Sequence, residues 1–426
     1  MTRFLVLGAG RSGLGAVGAL ARVQPLARLR LVAPIAPEGV ELPGVELVVG
    51  REDASLLDEV DVLVKSPGVP ETAPLVLAAR ARAIPVWGEV ELAWRLLGER
   101  NPIVGVTGTN GKTTTTLLLA EMLAEGGVPA VAAGNVGTAL TSLAGTIEPA
   151  RAIVCELSSF QLENVETLRC DVAVLLNVTP DHLDRHGSLA RYGEAKLRIF
   201  ERQRADDTAI LCIDDPWVAK LGDLPGAARV ERVSGLALPP ELESAFASSR
   251  LRGPHNRANV ICAARAALAL GADLAGICRA LVSFAPPPHR LEEIRVLEGV
   301  RYVNDSKATN VEATVQALAA FESDVHVILG GSLKGGGFEA LRSAVERHAA
   351  GVYLIGEAAA SLATTLDGVA VPVSRDGTLA RALEHARRRA QPGQTVLLAP
   401  ACASFDQFRD FEQRGDLFRE LVEGLA

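Results

Sequence analysis

The sequence predicts an α/β chain of parallel sheets divided into three domains. Apolar strand-like runs alternate with helical patterns throughout, two glycine-rich loops each lie between a strand and a helix, and proline- or glycine-containing breaks separate three series of strands. The first series is Phe4–Leu7, Leu29–Val32, Val45–Val49 and Val62–Val64. The second is Ile103–Val106, Ala152–Cys155, Val172–Val178 and Ala209–Ile213. The third is Arg301–Val303, Val325–Leu329, Val352–Ile355, Val369–Val373 and Val396–Leu398. Gly98 to Pro102 and the stiff run Pro286-Pro287-Pro288 set boundaries that give domains 1–98, 99–287 and 288–426. Pro239-Pro240 reads as a loop inside the middle domain.

Composition excludes several classes. With 48% hydrophobic and 22% charged residues over 426 positions, the chain is globular and long enough for several cores. A net charge of −8 argues against a nucleic-acid binder held by a general basic field, so an anionic ligand must be met by local amides, a few cations or metal ions. Only six of the 43 basic residues are lysines: Lys65, Lys112, Lys196, Lys220, Lys307 and Lys334. Arginine does not replace lysine where a compact, titratable amine is needed, so each position poses a question. Six cysteines without a CxxC pair, spread through apolar stretches, point to a reducing compartment and free buried thiols. Arg3, the apolar run after it and Ala19-Leu20-Ala21 imitate a signal peptide, but Arg11 and five glycines from Gly8 to Gly18 speak against export. No uninterrupted apolar run of about 18 residues exists, so no membrane span is expected.

The first loop, Gly8-Ala9-Gly10-Arg11-Ser12-Gly13, has the G-x-G-x-x-G form in which glycines let a pyrophosphate approach the backbone at a helix N-terminus. A dinucleotide site also needs an acidic residue after the second strand, where this chain has Val32-Ala33-Pro34. NAD, another nucleotide or nucleotide-sugar, and a purely structural turn all stay open here. The second loop, Gly105-Val106-Thr107-Gly108-Thr109-Asn110-Gly111-Lys112-Thr113, lacks the first Walker glycine but keeps the working part. Amides of Gly108 to Gly111 can cradle phosphate oxygens, Lys112 can reach the β- and γ-phosphates, and Thr113 can ligate magnesium ahead of a helix from Thr113 to Ala124. Nucleotide triphosphate binding follows from that arrangement.

Glu156 ends the strand Ala152–Cys155, where an open sheet faces its ligand crevice, so it is a candidate magnesium ligand rather than a solvated helix-start carboxylate. Asn177-Val178-Thr179-Pro180-Asp181-His182-Leu183-Asp184 follows another strand. His182 there is a metal or phosphate contact unless Asp181 merely caps a helix. Lys196, alone on a helix, reads by itself as a solvated charge.

Together these stretches resemble the Mur ligase family, cytoplasmic ATP-dependent amide-bond ligases of peptidoglycan synthesis. The resemblance runs in order through Gly108-Thr109-Asn110-Gly111-Lys112-Thr113-Thr114, Glu156-Leu157-Ser158-Ser159-Phe160-Gln161, Asp181-His182-Leu183-Asp184 and His255-Asn256-Arg257-Ala258-Asn259. It continues through His289-Arg290, Asn304-Asp305-Ser306-Lys307-Ala308-Thr309-Asn310, Gly330-Gly331-Ser332-Leu333-Lys334 and the ending from Pro400 to Phe408 and Phe411 to Gly415. The ending is the most specific part, and it is similar to members that take D-glutamate. The resemblance implies a Rossmann-like N-terminal domain that binds a UDP-sugar, a central P-loop ATPase-type domain, and a Rossmann-like C-terminal domain for the amino acid. Its implied partners are UDP-N-acetylmuramoyl-L-alanine, D-glutamate and ATP with magnesium, without nucleic acid, and its implied state is a monomer.

Residue by residue, the resemblance implies that Lys196 reacts with carbon dioxide to a carbamate, which with His182 would hold a second magnesium beside the Thr113 and Glu156 site. Gly108, Thr109, Asn110, Gly111, Lys112, Thr113 and Thr114 would bind ATP phosphates, Asn256 and Asn259 the adenine, and Arg290 and Asp305 its ribose and phosphates. Gly10, Arg11, Ser12, Ser66 and Gly68 would hold the UDP diphosphate, with Asn135 and His182 on the muramoyl part. Lys307, Thr309, Lys334, Ser404 and Phe411 would surround D-glutamate. Ala33-Pro34-Ile35 stands where the family often offers uracil a polar side chain. An NAD-dependent oxidoreductase built on the first loop and an ATP-hydrolysing switch are the rival functions.

Overall fold

A computed structural model describes residues 1–37, 39–333 and 337–425, with Asp184 described by its backbone alone. The chain forms two compact units: Met1–Pro180 with His186–Ala247 and Ala258–Ser283, and Asp181–Arg185 with Ser248–Arg257 and Phe284–Ala426.

The first unit holds two sheets. β1 (Arg3–Leu7), β2 (Arg28–Ala33), β3 (Val45–Val49), β4 (Val62–Lys65) and β5 (Val86–Gly88) make a five-stranded parallel sheet in the order β3-β2-β1-β4-β5. Its apolar runs are continuous because both faces are covered. Leu5, Leu7 and Leu63 pack with Leu75, Val76 and Ala79 on one side, and Phe4, Val6, Leu31 and Val64 with Ala16, Val17 and Leu20 on the other. β6 (Ile103–Thr107), β7 (Ala130–Gly134), β8 (Ala152–Glu156), β9 (Val172–Leu175), β10 (Thr208–Cys212) and β11 (Arg229–Val233) form a parallel sheet ordered β11-β10-β9-β6-β8-β7.

The second unit is built on β12 (Glu292–Leu297), β13 (Val300–Asn304), β14 (Val325–Gly330), β15 (Ala349–Ile355), β16 (Val373–Gly377) and β17 (Thr395–Leu398), ordered β12-β13-β17-β14-β15-β16. Only the β12–β13 pair in this sheet is antiparallel. Val327, Leu329 and Leu354 face one core, and Ile328, Tyr353 and Leu398 the opposite one.

Several expectations needed correction. The strand expected at Val369–Val373 starts at its last residue, because Gly368 turns the chain at φ +75° and Pro372 has no N–H to donate. The Pro372 carbonyl instead accepts from the Val352 N–H at 2.9 Å, and pairing proceeds from Val373. Pro239-Pro240 is not simply a loop: Pro240 opens the helix Pro240–Ser248, a position where a missing N–H costs nothing. The strand expected to reach Val178 stops at Leu175, and the helix expected from Thr113 runs Lys112–Glu125. The six cysteines are free, and all but Cys278 are buried. No helix among the described residues is long and apolar enough to cross a membrane.

Within the first unit, buried carboxylates join the two sheets' layers. Glu89 and Glu91 lie in the first turn of the helix Glu89–Leu97. Glu89 accepts from the Thr141 N–H at 2.8 Å and the Thr141 hydroxyl at 2.7 Å. Glu91 accepts from the N–H groups of Glu166, Thr167 and Leu168 and from the Thr167 hydroxyl, and pairs with Arg95 at 2.7 Å. Burial acts to raise the Glu91 pKa, but the Thr167 hydroxyl, these amides and Arg95 outweigh it and hold the carboxyl below its ordinary value. That contribution to stability is present above the unfolded carboxyl's pKa and is lost as pH falls through the folded one. Glu91→Ala, which orphans the buried amides and leaves Arg95 its pair with Glu166 at 3.1 Å, should destabilise the unit by about 3 kcal/mol at pH 7 and by clearly less near pH 3; urea unfolding at the two pH values checks both.

Candidate active site

The first loop is shaped as its glycines predicted. Gly8 takes φ +100° at the end of β1, and a Cβ on Gly13 would collide with the Gly8 carbonyl, so the helix Arg11–Val23 starts tight against the strand. Gly10 caps that helix with no side-chain hydrogen bond, leaving first-turn N–H groups for an anion beside exposed Arg11 and half-buried Ser12. Ser66 follows β4 and donates from its hydroxyl to the Gly8 carbonyl at 3.3 Å, which brings Ser66-Pro67-Gly68 to this loop. Ala33 ends β2 without a carboxylate, and Ile35 is exposed.

In the second sheet, β6 runs into the phosphate loop and the helix Lys112–Glu125. Gly108 at φ +157° and Gly111 at φ +85° make the turn, and a Cβ on Gly111 would strike Asn259 Oδ1, which places Asn259 against the loop. Asn256 stands one turn before it on the helix Pro254–Ala269 and donates to the Arg252 carbonyl at 2.8 Å. Lys112 Nζ donates to the carbonyls of Gly108 (2.9 Å) and Thr109 (2.8 Å). Lys196 is not a solvated charge. It is 1% exposed, lies 4.4 Å over the Tyr192 ring, and Nζ donates to the same Gly108 carbonyl at 2.7 Å.

Glu156 ends β8 at 2% exposure. Its Oε1 accepts from Asn135 Nδ2 at 2.9 Å, while Oε2 has no partner among the described residues. A buried carboxylate oxygen without a donor, on the sheet edge that carries the phosphate loop and the first-turn hydroxyls of Thr113 and Thr114, suits a hard cation bound jointly with phosphate oxygens. These residues therefore fit magnesium.

Sequence reasoning quoted Asn177 without giving it a task. Asn177 Oδ1 accepts from the N–H groups of Thr109 (2.9 Å) and Asn110 (2.8 Å), and Nδ2 donates to the Asn110 carbonyl at 3.1 Å. Thr109 and Thr179 are further tied through the Thr109 hydroxyl. Its place after a strand that pairs beside β6 was the signal available.

The second unit holds the remaining positions. His182 takes φ +53°, its side chain is 43% exposed, and its N–H donates to Asp181 Oδ1 at 3.0 Å, while Asp181 Oδ2 accepts from Asn310. Asp305 accepts from the Leu291 N–H at 3.2 Å, next to Arg290. Lys307 Nζ lies 3.9 Å over the Phe411 ring, and the Thr309 N–H donates to the Lys307 carbonyl at 2.7 Å. Ser404 is buried in the loop after β17. Lys334 lies outside the described residues.

The sequence profile of the Mur ligase middle domain matches residues 106–237, and that of the Mur ligase glutamate ligase domain matches residues 289–402. The chain belongs to the Mur ligase family, whose members are ATP-dependent ligases. It is 42% identical to a UDP-N-acetylmuramoylalanine--D-glutamate ligase of Myxococcus xanthus (strain DK1622), with 99% of this chain and 98% of that one covered. A Desulfatibacillum aliphaticivorans protein of the same name is 41% identical, over 90% of this chain and 88% of its own. Among solved structures, the MurF ligase from Thermotoga maritima in complex with ADP covers 100% of this chain and 99% of its own at a TM-score of 0.63 and 18% identity, a likeness of fold.

Two predictions follow from the geometry. Asn177→Ala removes the acceptor of the Asn110 N–H, while the Thr109 N–H keeps the Asn177 carbonyl at 3.0 Å; at about 1–3 kcal/mol for a group left unpaired, ATP affinity should fall about tenfold, measured by calorimetry. Burial pushes the Asp305 carboxyl up to about 7 against the opposing Leu291 amide and Arg290 charge. A raised carboxyl gives stability that is full below the unfolded pKa and is lost as pH rises through about 7. Asp305→Asn should therefore stabilise the protein at pH 8, by a few kcal/mol at most, on the order of 1.4 kcal/mol per pKa unit, with little change at pH 4, as read by thermal unfolding.

Proposed function

We propose that this enzyme joins D-glutamate to UDP-N-acetylmuramoyl-L-alanine with hydrolysis of ATP to ADP and phosphate, in the cytoplasm, as a monomer. The observation that carries the proposal is Lys196, a buried primary amine on the phosphate-loop carbonyl that half-buried Lys112 also touches. Phosphate binding by Lys112 alone would not require it. The choice of D-glutamate rests on the names of relatives that match along the whole chain.

Each of the three sheets would be the centre of one domain, at 1–98, 99–287 and 288–426, with the first and third Rossmann-like. The substrate carboxylate attacks the γ-phosphorus, the bond to the β–γ bridging oxygen breaks, and ADP leaves. The amine of D-glutamate then adds to the acyl carbon, and the tetrahedral intermediate expels phosphate as the amide forms. The chain's part is to orient the partners and meet developing charge. Phosphate-loop amides and Lys112 hold the transferred phosphoryl group, and Asn177 fixes the loop's shape by accepting from the Thr109 and Asn110 N–H groups. Asn135 orients the muramoyl part. Arg290 and Asp305 take the ATP ribose and phosphates, and Asn256 and Asn259 the adenine. Lys307, Thr309, Lys334, Ser404 and Phe411 take D-glutamate. Magnesium would be held by Thr113 and Glu156, with a second ion on His182 and carbamylated Lys196, and it neutralises phosphate charge when bound. A carbamate needs a primary amine, which arginine lacks.

The test supplies purified protein with ATP, magnesium, UDP-N-acetylmuramoyl-L-alanine and a panel of amino acids. Amide should form with D-glutamate alone; equal phosphate release from ATP without co-substrates would instead support a switch, and binding of NADH but no UDP-sugar would support an oxidoreductase. Lys196→Ala should cut turnover on the order of 10²–10³-fold, with partial recovery on adding short carboxylic acids. Full activity in Lys196→Arg would remove the carbamate from the proposal.

A further inference from the structure

Arg414 stands in the first turn of the helix Phe411–Glu423 and is 0% exposed. A guanidinium removed from water is ordinarily matched by a carboxylate. Among the described residues Arg414 has no such ion pair. Its Nε donates to the Ser306 hydroxyl at 2.9 Å, Nη2 to the Ser306 carbonyl at 2.8 Å, and Nη1 to the carbonyls of Cys402 and Ala403 at 3.2 Å each. Burial lowers its pKa to about 10, which leaves it charged at neutral pH.

These bonds reach the loops that carry the proposed D-glutamate residues Lys307, Thr309 and Ser404. The Ser306 loop leads to Lys307 and Thr309, and the Cys402–Ala403 stretch to Ser404. The Ser306 hydroxyl donates in turn to the Phe411 carbonyl at 2.8 Å, beneath the ring that Lys307 Nζ covers. Gly331, where the loop toward Lys334 begins, packs so closely that a Cβ there would lie 3.1 Å from Nη1. Ser332 continues that loop by donating its N–H to the Ala403 carbonyl at 2.9 Å.

We propose that Arg414 is a positioning residue of the amino-acid site, a buried cation without a carboxylate ion pair among the described residues, which fixes the Ser306 and Cys402–Ala403 loops and leaves its charge to favour a dicarboxylate. This role rests on the D-glutamate assignment above. A purely structural clamp would need only the donors; an electrostatic one also needs the positive charge, and lysine and glutamine separate the two.

The experiment compares the full-length protein with Arg414→Lys, Arg414→Gln and Ser306→Ala, measuring KM for D-glutamate, ATP and the UDP-muramoyl substrate. Arg414→Gln should raise the D-glutamate KM by about tenfold or more with the other two KM values within about twofold, and Arg414→Lys should recover most of that loss. Ser306→Ala keeps the charge, removes one acceptor and the tie to Phe411, and should raise the D-glutamate KM about threefold. It also keeps the proposal testable if the arginine variants do not fold. Equal effects of lysine and glutamine, equal rises in all three KM values, or an unchanged D-glutamate KM in Ser306→Ala would each overturn the proposal. Absence of amide product with D-glutamate in the unmodified protein would overturn the underlying function together with it; product in the unmodified protein alongside unselective variants overturns only the role of Arg414.

Discussion

The carbonyl of Gly108 accepts hydrogen bonds from two lysine amines, Lys112 Nζ at 2.9 Å and Lys196 Nζ at 2.7 Å, and the phosphate site is organised around it. Two ammonium ions so close repel each other, and that repulsion is relieved where negative charge arrives or one amine ceases to be a cation. Nucleotide phosphates supply the first, and the proposed carbamate the second. The carbonyl can point this way because Gly108 takes a positive φ that a side chain would oppose. Its place is fixed by the parallel pairing of β6 with β9, which brings Asn177 beside the loop to hold the next two amides. The helix that carries Lys196 keeps the amine over Tyr192 and out of water.

Charge in this chain is arranged locally rather than as a field. A molecule of net charge −8 repels anions at long range, so binding of phosphates and carboxylates depends on short-range donors inside each pocket. The proposed sites would supply them in two forms: backbone amides at Gly10 and in the phosphate loop, and lysine amines half-buried or buried at Gly108 and over Phe411. Each is partly stripped of water before a ligand arrives, which strengthens its pull on an anion and makes its geometry consequential. Glu156 is the counterpart of opposite sign, a buried carboxylate oxygen without a donor among the described residues, as the proposed magnesium site would use.

Much of this was legible in the sequence, and the illegible parts share causes. Interior strands such as Phe4–Leu7 and Val325–Leu329 stand out because both faces are apolar. The strands that escaped notice, Val86–Gly88, Ala130–Gly134, Arg229–Val233 and Glu292–Leu297, lie at sheet edges, where charged, small or few residues suffice and blunt further pairing. The loop glycines were readable because few other residues take their conformations. Lys196, by contrast, looked like a solvated helix charge until its family likeness was weighed, and Arg414 lay in the quoted ending without a task. Their significance comes from long-range packing, with Lys196 reaching a loop 88 positions away and Arg414 a hydroxyl 108 positions away.

The scarcity of lysine shows how far composition carries such an argument. Lys65 adjoins the proposed diphosphate loop, which invites a ligand role, yet its amine is 1% exposed, donates to the Val69 carbonyl at 2.7 Å and pairs with Glu71 at 3.1 Å. Glu71 is held by Asn164 of the second sheet's layer, so Lys65 fastens the loop from behind. Lys220 is exposed and lines a cleft of about 520 Å³ with Trp217 and Pro180, at the end of the sheet where β9 and β10 finish. A rare residue therefore marks a position where a compact amine is kept, but burial and partners decide whether that amine meets a ligand or braces the loop that does. Lys65, held by Glu71, braces the proposed diphosphate loop, whereas the ligand roles of Lys112, Lys196 and Lys307 belong to the proposed function.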